Sequence, residues 1–231
     1  MIIGINGYSG SGKDTIGTII QYLTSEAYKE GRSYERYLER STNPVAFGMI
    51  YNHSWEIKKW AGKMKQIASI LTNIPISKFE DQEFKKNNLP PEWNYDVHGQ
   101  GEWIELEMTV REFLQRLGTD AMRHGLHTNT WVNALMSEYV MDTEHFNDIA
   151  NGREVGDGYP KWIITDTRFP NEAQAIKDKG GILIRVNRNG IKPINNHPSE
   201  VALDNYTFDY TIENNGTIDE LIEIINCLGI F

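Results

Sequence analysis

A single cysteine, Cys227, stands in 231 residues, so no disulfide can form within the chain. That count fits a reducing compartment. No apolar run approaches the ~20 residues that a membrane-spanning helix needs. The opening Met1-Ile2-Ile3 lacks a basic segment and a cleavage site, and is expected to be a strand and not a leader. Positive charge is in deficit too: 23 Lys and Arg face 32 Asp and Glu, a formal net charge of −9. Duplex nucleic acid, which needs concentrated positive charge, is disfavoured as a general partner, whereas a small anion in a locally basic pocket is not. There is no internal repeat, no low-complexity segment and no Asn-Lys-x-Asp base-reading segment, which argues against a GTPase switch.

What is present is a globular composition, 39% hydrophobic and 24% charged, enough for one α/β domain or a core with a helical insertion. Met1 to Asn6 is too short for a helix and stops at a Gly-rich turn, so it reads as a buried strand. Ile16, Ile19, Ile20 and Leu23 recur at helical spacing behind it. Between them lies Gly7-Tyr8-Ser9-Gly10-Ser11-Gly12-Lys13, which fits G-x-x-x-x-G-K. Glycines let such a loop curl until its N–H groups point into one concavity, and the helix opening near Gly12 adds its positive dipole end. Lys13 reaches the β- and γ-phosphates of a nucleotide as a point charge. The spacing alone is moderate support; its place between an apolar strand and an amphipathic helix is what favours ATP over an ordinary Gly-rich turn.

One position departs from the usual loop. Asp14 stands where Ser or Thr offers a hydroxyl to Mg²⁺, and Thr15 follows it. A carboxylate still attracts Mg²⁺, directly or through water, because the ion takes oxygen ligands and keeps several waters. Thr15 is placed to bond the α-phosphate.

Further along, strands and helices alternate again, implying a parallel sheet covered on both faces. Trp162 to Thr165 is a short buried strand, Pro170 to Lys179 a helix with Pro in its first turn, Ile182 to Val186 a strand, Tyr210 to Ile212 another, and Thr217 with Glu220 caps the last helix. Asp166 and Arg168 fall just past the first of these strands, at the carboxyl end where open α/β sheets bind ligands. Arg168 there suits a bidentate grip on phosphate. A helix N-terminal acid beside a surface arginine is the plainer account, and only the phosphate loop tips the balance.

Three blocks in order carry a resemblance: Gly12-Lys13-Asp14-Thr15; Phe113-Leu114-Gln115-Arg116-Leu117-Gly118-Thr119-Asp120 through Arg123 and Trp131; and Asp166-Thr167-Arg168-Phe169-Pro170-Asn171-Glu172. With His197-Pro198-Ser199-Glu200 and Asn214-Asn215-Gly216-Thr217, they resemble the phage-type deoxynucleoside monophosphate kinases. The resemblance implies a single P-loop kinase domain, an α/β three-layer fold with a five-stranded parallel core sheet and helical substrate and lid insertions. The core would take about 1–25, 55–75 and 161–231, and the substrate-side insertion about 76–145. It implies ATP and Mg²⁺, nucleotides as the small-molecule partners, a cytoplasmic setting (the host's, for a phage-encoded chain) and room for a homodimer. Gly10, Ser11, Gly12, Lys13, Asp14 and Thr15 are then expected at ATP, Asp166 and Arg168 beside the reacting phosphates, and Lys65, Arg123 and Trp131 on the substrate side. A P-loop kinase for another phosphorylated metabolite, or a nucleotide-binding regulatory module, are the alternatives.

Other features carry plainer readings. Thr109 and Glu112 form a capping box for a helix expected to stop at Gly125, where Arg123 and His124 complement the C-terminal dipole end if they have no ligand. Trp131 serves equally as a base-stacking ring or as core. His124 and His127 do not make a metal pair, since no carboxylate or Cys joins them at ligand spacing. His197 sits in a polar turn or a mobile lid. The mixed-charge stretch 26–40 is expected as a solvated face, 77–87 as a polar helix and 92–108 as irregular. Within the last, Trp93, Tyr95 and Trp103 are interleaved with acids, the wrong chemistry for single-stranded nucleic acid.

Overall fold

The structure is a computed structural model that describes residues 1–42, 54–99, 102–142, 158–193 and 198–231. The described chain divides into two compact units, one of Met1–Lys59 with Met136–Phe231 and one of Trp60–Leu135.

The first unit is built on a five-stranded sheet in the order β2-β5-β1-β6-β7, its strands being β1 (Ile2–Asn6), β2 (Trp55–Lys58), β5 (Lys161–Ile164), β6 (Ile182–Asn187) and β7 (Tyr210–Glu213). Every neighbouring pair is parallel. The central strand β1 pairs Ile3 with Ile163 on one side and with Ile182 on the other. All five of its residues are buried, and a continuous apolar run is what a strand covered on both faces requires. Alternate side chains point to opposite faces. Ile3 and Ile5 join Ile16, Ile19, Ile20 and Leu23 of α1 (Lys13–Leu23) and Leu221 and Ile225 of the last helix, Ile218–Cys227. On the opposite face Gly4 leaves room for Ile176 of the helix Pro170–Asp178: a Cβ on Gly4 would come within 2.4 Å of that side chain. Helices therefore flank the sheet on both sides, the three-layer α/β architecture expected from the alternation.

The mixed-charge stretch is helical in part, as α2 (Glu26–Lys29) and α3 (Tyr34–Thr42), and departs from a purely solvated face only in a few apolar positions. Ala27, Tyr34 and Tyr37 are buried in the main core, where Tyr22 meets Tyr34 edge-on at 5.3 Å. Charges dominate the composition there, but apolar residues three apart suffice to seat one helical face. The segment 43–53 and most of the expected connection at 142–160 lie outside the described residues, as does His197.

The second unit contains α4 (Gly62–Thr72), a β3–β4 hairpin (Tyr95–Gly99 with Glu102–Leu106), α5 (Val110–Gln115) and all but the last residue of α6 (Thr130–Met136). Its core gathers Ala68, Phe79, Leu89, Met108, Val110, Phe113 and Leu114. Thr109 caps α5 as expected, its hydroxyl accepting from Glu112 N at 3.1 Å. Two expectations give way here. The polar stretch 77–87 forms two short 3₁₀ turns, Ile76–Phe79 and Phe84–Lys86. The stretch 92–108 is largely the hairpin, which pairs Val97 with Ile104 and Tyr95 with Leu106. The helix from Thr109 ends at Leu126, one residue past the expected stop at Gly125, but from Arg116 onward it is widened into a π-helix. Tight packing accompanies the wider turn: a Cβ on Gly118 would sit 2.5 Å from Met64 Sδ, and the Gly118 carbonyl accepts the Trp131 indole N–H at 2.9 Å.

Candidate active site

The carboxyl ends of β1, β5 and β2 are neighbours because those strands are adjacent in the sheet. From β1 the chain enters the loop Gly7 to Gly12. Gly10 and Gly12 have φ of 83° and 99°, the left-handed region that a side chain would strain. The loop is drawn tight by Ser11 N donating to Tyr8 O at 3.1 Å. Helix α1 begins at Lys13, and Ile16 N donates to Gly12 O at 3.0 Å, so the amides of 13–15 precede the first intrahelical donor. A concave set of N–H groups at a helix N-terminus is an anion site.

Lys13 folds back over this loop, its Nζ donating to Tyr8 O at 2.7 Å. Burial and, next, the Arg168 cation push its pKa down to about 8. Asp14, Glu200 and Asp166 act in the opposite direction on the same ammonium. One lysine thus feels Asp14, expected with it at ATP, and Asp166 and Arg168, expected beside the reacting phosphates.

Asp14 is not bare. Thr165, at the end of β5 and buried, donates its hydroxyl to Asp14 Oδ1 at 2.6 Å, and Lys59, just past β2, places Nζ 3.4 Å from the same oxygen. Loss of water works to raise the Asp14 pKa, but the Thr165 hydrogen bond and the Lys59 charge outweigh it and hold the carboxylate below its usual range. Thr15, the next residue, is half-buried.

Arg168 lies in the turn between β5 and the Pro170–Asp178 helix. Glu172 is buried, and its Oε2 accepts from the backbone N–H of Arg168 at 2.8 Å and of Phe169 at 3.1 Å, which fixes that turn. The guanidinium Nη1 meets Glu200 Oε1 at 2.8 Å. A second arginine that spacing did not flag, Arg185 on β6, bonds Asn6 Oδ1, reaches Asp204 at 3.1 Å and lies 4.8 Å from the centre of the Tyr8 ring.

The remaining expected residues belong to the second unit. Lys65 is buried with its ammonium 2.5 Å from Glu80 Oε1. Trp131 is 3% exposed, so within this unit its ring is core. Arg123 lies on the π-helix and is half-buried. The same helix contributes Arg116, Leu117, Asp120 and Ala121 to a groove of about 370 Å³ completed by Trp93, Met108 and Phe113. Arg116 is held there between the Tyr95 ring, 3.7 Å away, and Glu112 at 3.2 Å.

The family model described as deoxynucleotide monophosphate kinase matches residues 63–225, more than half of the chain. The chain belongs to that family. Among its relatives, a protein named as a deoxynucleotide monophosphate kinase in Acanthamoeba polyphaga mimivirus is 36% identical over 129 residues, 52% of this chain and 61% of that protein. The deoxynucleotide monophosphate kinase of Enterobacteria phage T4 is 31% identical over 122 residues, 53% of this chain and 46% of its own. The deoxynucleoside-5'-monophosphate kinase of Escherichia phage T5 is 24% identical over 195 residues, 77% and 72% of the two chains. The first two matches thus span less than two thirds of those proteins. The family match begins after the phosphate loop, so the loop's geometry is an independent observation about this deoxynucleotide monophosphate kinase relative.

Lys59, Thr165 and Arg185 escaped the sequence reading. Lys59 and Thr165 follow the carboxyl ends of β2 and β5, and Arg185 on β6 pairs with Asn6 at the end of β1, a strand-end signal that could have found them. Using it requires knowing the strand order, since Lys59 and Thr165 approach Asp14 only because β2, β5 and β1 are consecutive in the sheet.

Proposed function

We propose that this chain transfers the γ-phosphoryl group of ATP to a deoxynucleoside 5'-monophosphate, releasing the diphosphate and ADP. The observation that carries the reading is a phosphate loop whose Lys13 ammonium feels the charges of Asp14, Asp166 and Arg168, in a member of this kinase family. In this reading an oxygen of the acceptor phosphate attacks the γ-phosphorus, and the bond to the β,γ-bridging oxygen breaks with its electrons left on ADP. Such a reaction needs in-line positioning and positive charge where charge builds, and the acceptor, already an anion, needs no strong base. Lys13 leaves the Tyr8 carbonyl for the β- and γ-phosphate oxygens. Arg168 exchanges Glu200 for the transferring group.

The donor set fits magnesium of the kind that nucleotide phosphates bring with them. Asp14 is an ionised, exposed carboxylate at the helix N-terminus, and no group of three or more metal-ligating side chains occurs among the described residues, as suits an ion held by one or two carboxylates plus phosphates and water. Asp14 and Asp166 would hold it, and it would neutralise charge on the phosphate oxygens. Lys65 and Arg123 are the residues proposed to bind the acceptor nucleotide. No helix among the described residues is long and apolar enough to cross a membrane, and a cytoplasmic enzyme is the matching proposal.

A coupled ADP-release assay across the deoxynucleoside and ribonucleoside monophosphates tests the reading. Selective turnover with deoxynucleotides is expected. Turnover only with other phosphorylated acceptors, or ATP binding without turnover, would replace it with another kinase activity or a regulatory module.

A further inference from the structure

The phosphate loop is touched from outside by the far end of the chain. Asn214 follows β7, and its side-chain Nδ2 donates to Ser11 O at 2.8 Å. The same amide packs against Gly12 so closely that a Cβ there would lie 2.3 Å from Nδ2. Asn214 is itself held: its N–H donates to Asn187 O at 2.8 Å, Asn187 Nδ2 donates to Glu213 Oε1 at 2.7 Å, and Asn189 N donates to Asn215 Oδ1 at 2.7 Å. The ends of β6 and β7 are stitched together and present one amide to the loop.

The chemistry of that contact lies in the peptide unit it grips. A trans peptide is planar, so its C=O and the following N–H point in opposite directions. No peptide bond described here is cis. Pinning the Ser11 carbonyl from the β7 side therefore turns the Gly12 N–H toward the loop's concavity. That N–H has no protein acceptor among the described residues. The neighbouring contact behaves differently. Arg188 Nη1 reaches Gly10 O at 3.4 Å, but the amide of that peptide, Ser11 N–H, is already spent on Tyr8 O. Among the described residues two side chains grip loop carbonyls from outside, and of these the one from Asn214 leaves an amide for a ligand.

We infer that Asn214 is a positioning residue for phosphate: by holding the Ser11 carbonyl outward it fixes the Gly12 N–H as a donor to the polyphosphate of the nucleotide. The inference rests on the reading of this loop as the ATP site. Loss of one fixed donor to a charged oxygen corresponds to about a ten-fold loss of affinity. Asn214→Asp should lose more than Asn214→Ala, because a carboxylate oxygen would face the Ser11 carbonyl and add negative charge beside the phosphates.

The test measures binding of ATP and of inorganic tripolyphosphate by calorimetry for the whole protein and both variants, with steady-state kinetics and melting temperatures alongside. Both ligands are expected to weaken by the same factor, about ten-fold for Asn214→Ala and more for Asn214→Asp. The KM for ATP should rise while kcat at saturation stays within about three-fold. Weakening for ATP but not for tripolyphosphate would move Asn214 to the nucleoside and overturn the inference. A lower melting temperature with both affinities intact would make it a purely structural clamp and overturn it too. If Asn214→Ala fails to fold, the nearly isosteric Asn214→Asp carries the comparison. Failure of the unaltered protein to bind either ligand would instead sink the ATP-site reading itself, so the two failures are distinguishable.

Discussion

Lys13 and Arg168 are two cations sharing one pocket, and each has a temporary partner, Tyr8 O and Glu200. With its pKa pushed down to about 8, Lys13 is charged at neutral pH and loses its proton as the pH passes that value. A bound polyphosphate favours the charged form, so above about pH 8 ATP must bind together with a proton. The dissociation constant for ATP is therefore expected to be flat below pH 7 and to rise toward ten-fold per unit above pH 8. Calorimetry at pH 9 in buffers of different ionisation enthalpy should register uptake of close to one proton. An affinity that is level from pH 7 to 9 would show that Lys13 keeps its charge throughout. Arg168 calls for a different measurement, because its work falls in the transition state. Arg168→Ala should lower kcat by roughly 10²–10³ while the dissociation constant for ATP changes by less than about three-fold. Equal losses in both would make Arg168 a ground-state anchor.

Elements differ in how plainly the sequence announced them. The run Ile2 to Asn6, the glycine loop and α1 were legible because a strand with both faces covered, a left-handed turn and an amphipathic helix each leave a local signature. The alternation from Trp162 to the last helix was legible for the same reason. The second unit was harder to read. Its hairpin has no Asn-Gly turn and only a half-buried inward face, Tyr95, Val97 and Gly99, while β4 is exposed throughout, so period-two burial hardly shows. The widening into a π-helix left no local signature, because Gly118 packs against Met64, far away in the sequence. Within the site, Lys13, Asp14, Asp166 and Arg168 followed from motif and strand end, whereas Thr165 and Lys59 required the sheet order. An element-level prediction concerns the seating of α1. Gly17 faces β2 and β5, and an added Cβ would lie 2.8 Å from Thr165 Cγ2 and 3.4 Å from Ile57 Cδ1. Ala gains about 1 kcal/mol over Gly in a helix interior, but overpacking costs about 1–3 kcal/mol. Because Thr165 is fixed at a strand end and bonded to Asp14, the cost should win. Gly17→Ala is expected to lower unfolding stability in urea by about 1 kcal/mol and to weaken the hydrogen bond to Asp14. A stabilised variant would show that α1 can shift outward at no cost.

The molecule as a whole carries a net charge of −9, yet it gathers Lys13, Lys59, Arg168 and Arg185 around one loop. Long-range repulsion and local attraction thus separate ligands by size: a compact polyphosphate reaches the cations, and an extended polyanion meets the acidic surface. Fluorescence anisotropy with a labelled 20-base-pair duplex, a length set by the experimenter, should show no binding in about 150 mM salt. Micromolar binding there would reveal a basic face that the net charge conceals. The sheet has a further consequence, one of timing. Strand β1 lies at its centre, but its neighbours β5 and β6 are encoded from residue 161 onward, and the amide that steadies the loop is at 214. At roughly 5–20 residues per second of synthesis, both edges of the central strand wait about 8–30 s on the ribosome before their partners emerge. A nascent chain therefore gains no nucleotide-binding loop early, and it depends during that interval on whatever shields an unpaired apolar strand.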